Sequence, residues 1–256
     1  MHADPALIRS VKAHVTPEEW AVRTDLAAAY RAVALYGWDD LVFTHISARV
    51  PGGHHFLINP YGMMFEEITA SSLVKIDLAG NKVMDSPFEI NPAGFTIHSA
   101  VHEAREDAQC VMHLHTMEGV AVSCQKEGLL AISQQSLFPL SSLAYHGYEG
   151  VALNPDEKAR LVGDLGDRHN MILRNHGLLT CAESVADAFL YMYILQKACE
   201  VQVLAQAGGG ELIPIAPAIV DGIRKASKVV LRQSGGMIAW PGILRKLDRM
   251  DPGWRD

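Results

Sequence analysis

The chain has 256 residues, of which 49% are hydrophobic and 20% charged, with a formal net charge of -7. That length and composition allow one large globular domain with a full core. The acidic balance, with no basic cluster, excludes an electrostatic footprint for nucleic acid. No apolar run reaches membrane-spanning length and no basic leader precedes an apolar segment, so the reading is a soluble cytoplasmic protein without a membrane partner.

Thr16-Pro17-Glu18-Glu19 starts a helix, with a hydroxyl cap, proline at the first helical position and a glutamate placed to close a capping box. Val22, Leu26, Ala29, Val33 and Tyr36 recur at spacings of four and three, so the helix runs to Tyr36 and stops at Gly37. From Leu41 the period falls to two. Leu41 to Val50 and His54 to Asn59 read as strands joined at Pro51-Gly52-Gly53, and Leu73 to Asp77 with Lys82 to Met84 as a hairpin. Asn91-Pro92 opens a helix to about Arg105 that carries His98 and His102 on one face, His102 turned toward solvent beside Glu103 and Glu106.

Val111 to Thr116 is the central strand. Side chains alternate along a strand, so His113 and His115 point the same way from a rigid support. A helix from Glu118 to Lys126, a strand near Leu129 to Ser133, a polar segment Tyr145-His146-Gly147-Tyr148-Glu149-Gly150 and a helix from Asp156 to Asp167 follow. The apolar run Met171 to Leu173 leads to His176. Ser184 caps a long helix through Ala207 that Gly208-Gly209-Gly210 ends, and a last helix spans Ala218 to Arg232. The aromatic, charged tail 233–256, with Trp240 and Trp254, suits a subunit interface. The four cysteines lack Cys-x-x-Cys spacing and read as free thiols of a reducing compartment. A helix, a run of strands and then alternating strands and helices gives a single-domain three-layer α/β/α sandwich around a mixed, largely antiparallel sheet.

An isolated His-x-His is more often a pair of packed histidines than a ligand pair. Joined by His176, the pattern becomes three imidazoles with open positions, as in catalytic metal sites.

With these segments in place the sequence resembles the class II aldolase/adducin family, from about Glu18 to Gln206. The resemblance is carried by Thr44-His45-Ile46-Ser47-Ala48-Arg49, Ala93-Gly94-Phe95-Thr96-Ile97-His98-Ser99-Ala100, Val111 to Thr116 and Arg174 to Leu178. It implies a homotetramer with active sites between subunits. It also implies a divalent cation, most often zinc with Mn, Fe or Co as alternatives, held by His113, His115 and His176. In the family's enzymes that cation chelates a hydroxy-carbonyl group and stabilises an enediolate.

Two parts of the family pattern are missing. The sugar-phosphate aldolases carry a proton-moving Glu nineteen positions before the first metal histidine, where this chain has Gly94 (113 − 19 = 94). Their phosphate-binding serine pair is here Pro92-Ala93, and their Gly-Asn-x-Ser turn is Thr44-His45-Ile46-Ser47. Glycine has no carboxylate and Pro92 no backbone N–H, so a sugar-phosphate aldolase is not expected. The expectation is a metal-dependent lyase, aldolase or decarboxylase, on a small non-phosphorylated hydroxy or keto acid. Tyr145, His146 and Tyr148 are candidate catalysts, and His98 and His45 pocket or supporting groups. A non-catalytic binding module of adducin type is the alternative, and an Fe(II)-dependent oxygenase on the same three histidines a further one.

Overall fold

A computed structural model describes residues 4–150, 156–230 and 235–256. Met1 to Ala3, Arg232 and the first two residues of the tail lie outside the described residues. Seven strands form one mixed sheet: β1 (His45–Arg49), β2 (His55–Ile58), β3 (Val74–Asp77), β4 (Cys110–Leu114), β5 (Leu143–His146), β6 (Asn170–Leu173) and β7 (Gly177–Ala182). They lie in the order β3-β2-β1-β4-β7-β6-β5. Every neighbouring pair is antiparallel except β5 and β6, so the largely antiparallel mixed sheet expected from the sequence is the one observed.

The helices are α1 (Pro17–Leu35), α2 (Pro92–Ala104), α3 (Met117–Ser123), α4 (Gln134–Leu140), α5 (Glu157–Leu165), α6 (Val185–Ala207), α7 (Pro217–Val230) and α8 (Gly235–Met250). Residues of β4 alternate between two cores. Cys110, Met112 and Leu114 join the cluster shared with α1 and α6, whereas Val111 joins Ile97, Val101, Leu161 and Leu165 from α2 and α5. This alternation makes the three layers.

Local sequence signals set several boundaries. Thr16 Oγ1 accepts the Glu19 N–H at 3.2 Å and Pro17 takes the first turn of α1, and Gly37 leaves the helix at φ +66. The reciprocal half of the capping box is given up. Glu19 instead binds the Arg23 guanidinium at 3.0 Å and Lys75 Nζ at 2.7 Å, because Arg23 is buried and needs a counter-charge more than the helix end needs a second cap.

Four expectations are corrected. Leu129 to Ser133 is not a strand: Leu129 N–H goes to the Tyr145 hydroxyl and Leu130 N–H to Gln202, while Ala131 C=O accepts Ile215 N–H. Its backbone is satisfied without a sheet neighbour, and Ser133 caps α4 instead. Lys82 to Met84 forms only an isolated bridge to Ile76, since Asp77 draws the Ala79 and Asn81 N–H groups into a tight turn. The first strand starts at His45, four residues later than the pattern suggests, after a turn in which Leu41 has φ +49. His102 does not face solvent: it is 0% exposed, on the buried face of α2.

The tail also finds cover within its own chain. Trp240 donates Nε1–H to Asp25 at 2.9 Å and packs against Phe189, and Trp254 is fully buried. Those two rings therefore need no second subunit; Met237 and Ile238 of α8 remain exposed.

Candidate metal centre

The strand β1 is pinned through Tyr30. Its hydroxyl receives the N–H groups of Ile46 at 2.7 Å and Asn59 at 3.2 Å, fixing Ile46 toward α1. Alternation then turns His45 and Ser47 toward α2, on the face that β4 gives to His113, which lies directly opposite His45.

His113 is buried, with Nδ1 3.0 Å from the Leu178 carbonyl of β7. A carbonyl only accepts, so Nδ1 carries the proton and Nε2 is a bare lone pair. His115, just past the end of β4, is fixed the same way: its Nδ1 stands 2.9 Å from Asp40 Oδ2, again leaving Nε2 as the free acceptor. The two Nε2 atoms face each other at 3.0 Å. Two lone pairs at that distance repel unless a proton or a cation lies between them. A tetrahedral cation about 2.0–2.1 Å from each nitrogen would hold them about 3.3 Å apart.

His176 completes the set from the tight turn between β6 and β7. Its ring centroid lies 4.7 Å from that of His113 and 4.9 Å from that of His115, and the candidate ligand atoms of all three lie within 4.8 Å of one another. The turn needs its unusual backbone. Asn175 has φ +54, and a Cβ on Gly177 would stand 2.5 Å from the Leu114 carbonyl, so only glycine lets β7 start this close to β4. The donor set fits a divalent cation: three imidazoles, two with the distal nitrogen tied to an oxygen acceptor. Burial, reinforced by the neighbouring imidazoles, holds His113 well below the usual histidine range and brings His176 down to about 4. Both are neutral at ordinary pH, as ligation requires.

Asp40 had no signal in the sequence. It lies in a loop 75 residues from His115 and belongs to no motif with it; only the fold brings the two together.

The remaining candidates separate. Tyr148, 57% exposed, has its ring 6.4 Å from that of His176. His146 is buried in a carboxylate cage, with Nδ1 2.7 Å from Asp164 and Nε2 3.5 Å from Glu157. The Tyr145 hydroxyl accepts the Leu129 N–H at 3.0 Å while the Arg174 guanidinium covers its ring, so its polar end is already engaged. His45 and His98 are both buried, and their rings meet edge to face at 5.8 Å. Neither nitrogen of His45, nor His98 Nε2, has a hydrogen-bond partner among the described residues. Unmet polar atoms of this kind cost about 1–3 kcal/mol each.

Among the described residues no helix is long and apolar enough to cross a membrane. The family profile described as Class II Aldolase and Adducin N-terminal domain matches residues 24–203. A Pseudomonas aeruginosa protein provisionally named a class 2 aldolase is 63% identical, the alignment covering 100% of this chain and 98% of that protein. Mouse alpha-adducin is 48% identical over 75% of this chain, a match that spans 27% of the adducin. The structure of L-fuculose 1-phosphate aldolase from Glaciozyma antarctica superposes with a TM-score of 0.80 at 28% identity, covering 99% of this chain and 97% of that one. With its sequence matched over residues 24–203 and three histidines gathered at the end of β4, the chain belongs to the class II aldolase and adducin family.

Proposed function

We propose that this chain is a divalent-metal-dependent carbon–carbon lyase, of aldolase or decarboxylase type, acting on a small non-phosphorylated hydroxy or keto acid. The observation that carries the reading is the convergence of His113 Nε2 and His115 Nε2 at 3.0 Å beside His176, with the outer nitrogens of the first two tied to Leu178 O and Asp40. A scaffold that needed only the fold gains nothing from gathering the ligand atoms of three imidazoles to within 4.8 Å of one another. Zinc is the first choice of cation, because a three-imidazole set that leaves one position open is its usual catalytic arrangement. When bound, the cation supplies Lewis acidity to an oxygen of a chelating hydroxy-carbonyl ligand.

The protein's own residues do the rest. His113, His115 and His176 fix where the chelating end sits, and Asp40 and Leu178 O hold two of those rings in one tautomer. We assign proton transfer at the ligand to Tyr148, supported by its exposed ring 6.4 Å from that of His176. A substrate without a phosphate is supported by α2, whose first turn offers Pro92 and Gly94 where the sugar-phosphate enzymes have a serine and a glutamate. We place the protein in the cytoplasm as a homotetramer.

Metal analysis of protein purified without a histidine tag tests the reading. About one equivalent of zinc per chain, lost in His113→Ala, is expected. A non-catalytic adducin-type module is the second reading, favoured by the 48% identity to alpha-adducin against 28% to the fuculose-phosphate aldolase. Less than about a tenth of an equivalent after zinc reconstitution would decide for it.

A further inference from the structure

Gly94 and His45 share one volume. A Cβ built on Gly94 would lie 2.5 Å from His45 Cγ and Cδ2 and 2.6 Å from its Nδ1, so the imidazole from β1 lies where a side chain from the first turn of α2 would leave the helix. The ring is nearly parallel to that of His113, with centroids 6.4 Å apart at 22°. It lies outside the cluster of three candidate ligands.

Behind His45 runs a buried hydrogen-bond chain with a fixed direction. His102 Nδ1 is 2.9 Å from the Ala108 carbonyl, which only accepts, so this nitrogen carries the proton. His102 Nε2 must then accept from the Ser47 hydroxyl at 2.7 Å, and Ser47 Oγ in turn accepts from His98 Nδ1–H at 2.6 Å. His98 Nε2 is left as a bare acceptor, fully buried and without a partner among the described residues. His45, a neutral imidazole with one donor and one acceptor nitrogen, lies edge to face with His98 at 5.8 Å between ring centroids, and both its nitrogens are unmet among the described residues.

We propose that His45 grips the ligand just beyond the atoms held at the metal centre, in the place residue 94 cannot fill, and that the group received by His45 and His98 is an uncharged hydroxyl. The inference rests on the metal-centre reading and deepens it: the substrate is a hydroxy acid with a second hydroxyl next to its chelating end. A hydroxyl can accept from the His45 N–H and donate to the lone pair of His98. A carboxylate or phosphate only accepts, and would set a negative charge against that lone pair in a desolvated wall. Ser47 and His102 are positioning residues, acting only through His98.

The experiment compares glycerate, each enantiomer separately, with lactate. Both carry the same α-hydroxycarboxylate, and glycerate adds one hydroxyl on the next carbon. Calorimetric titration of the zinc-loaded full chain is expected to give at least about tenfold tighter binding of one glycerate enantiomer, the worth of about one good hydrogen bond. His45→Phe keeps a flat ring over Gly94 but no nitrogen; in the zinc-loaded variant it should bring the two acids to within about twofold of each other. Nitrogen-15 spectra of histidine-labelled wild-type protein give a second readout that needs no variant. His98 and His102 should both be Nδ1–H tautomers, and glycerate but not lactate should shift the ring nitrogens of His45 and His98.

Equal affinity for the two acids in the zinc-loaded wild type overturns the inference, as does a glycerate preference that survives in His45→Phe. So does a His98 protonated on Nε2, or a glycerate complex whose His45 nitrogens do not move. A chain that takes up no zinc overturns the metal-centre reading itself, and this inference with it.

Discussion

Asp40 Oδ2 lies 2.9 Å from His115 Nδ1, and through that bond a loop residue ahead of β1 fixes the orientation of a ring at the far end of β4. The carboxylate holds the His115 ring in one orientation, with Nε2 toward His113. Asp40→Ala should weaken zinc binding by about 10–100-fold with little change in thermal stability of the metal-free chain. Competition against a chelator of known affinity measures it, and an unchanged zinc affinity would assign Asp40 to the surface alone.

Acid should destabilise the metal-free protein early. Burial pushes His45 and His102 down from 6.5 to about 3, and His98 well below its ordinary value. Below pH 6.5 the unfolded chain takes up these protons while the folded chain does not, so stability falls as pH drops from 6.5 toward 3. Each imidazole contributes about 1.4 kcal/mol per pH unit within that window. Asp25, raised by its own burial, works in the opposite direction but is a single group. Urea midpoints measured with EDTA between pH 7.5 and 5 should fall steeply below 6.5. A flat profile would contradict the burial of these rings as neutral groups.

Trp254 separates packing from hydrogen bonding. It is 0% exposed, yet its indole N–H has no partner among the described residues. Trp254→Ala should cost about 3–5 kcal/mol, because the ring's volume is lost from a closed site. Trp254→Phe should cost much less, since no hydrogen bond goes with the nitrogen. Comparable losses in the two denaturation curves would mean that the N–H is satisfied.

The cysteines should react unequally. Cys124 is exposed, whereas burial pushes the Cys181 thiol up to about 11 and Cys199 to about 12, with Cys110 raised further still. A disulfide reagent at pH 8 should label one thiol per native chain rapidly and the other three only on unfolding. Two fast thiols would show that one of the buried three is accessible.

The sequence by itself determined what neighbouring residues dictate. Thr16 and Pro17 start α1, Ser184 starts α6 and Gly208 ends it, because caps and backbone preferences act within a turn of chain. Alternation along β4 put His113 and His115 on one side, and the apolar run Met171 to Leu173 led to His176 as the third imidazole, which the family resemblance also names. Tertiary structure alone decided the rest. Where local preference was weak, as in Leu129 to Ser133, partners distant in the chain such as Gln202 and Ile215 settled the backbone. The β6–β7 hairpin that carries His176 was hidden in one apolar run, because both strands are buried on both faces and show no alternation. The loss of a carboxylate at Gly94 could be read from the chain, but not the ring that fills its volume. His45 reaches that space only because β1 and α2, 49 positions apart (94 − 45), pack face to face, and no local pattern encodes such a distance.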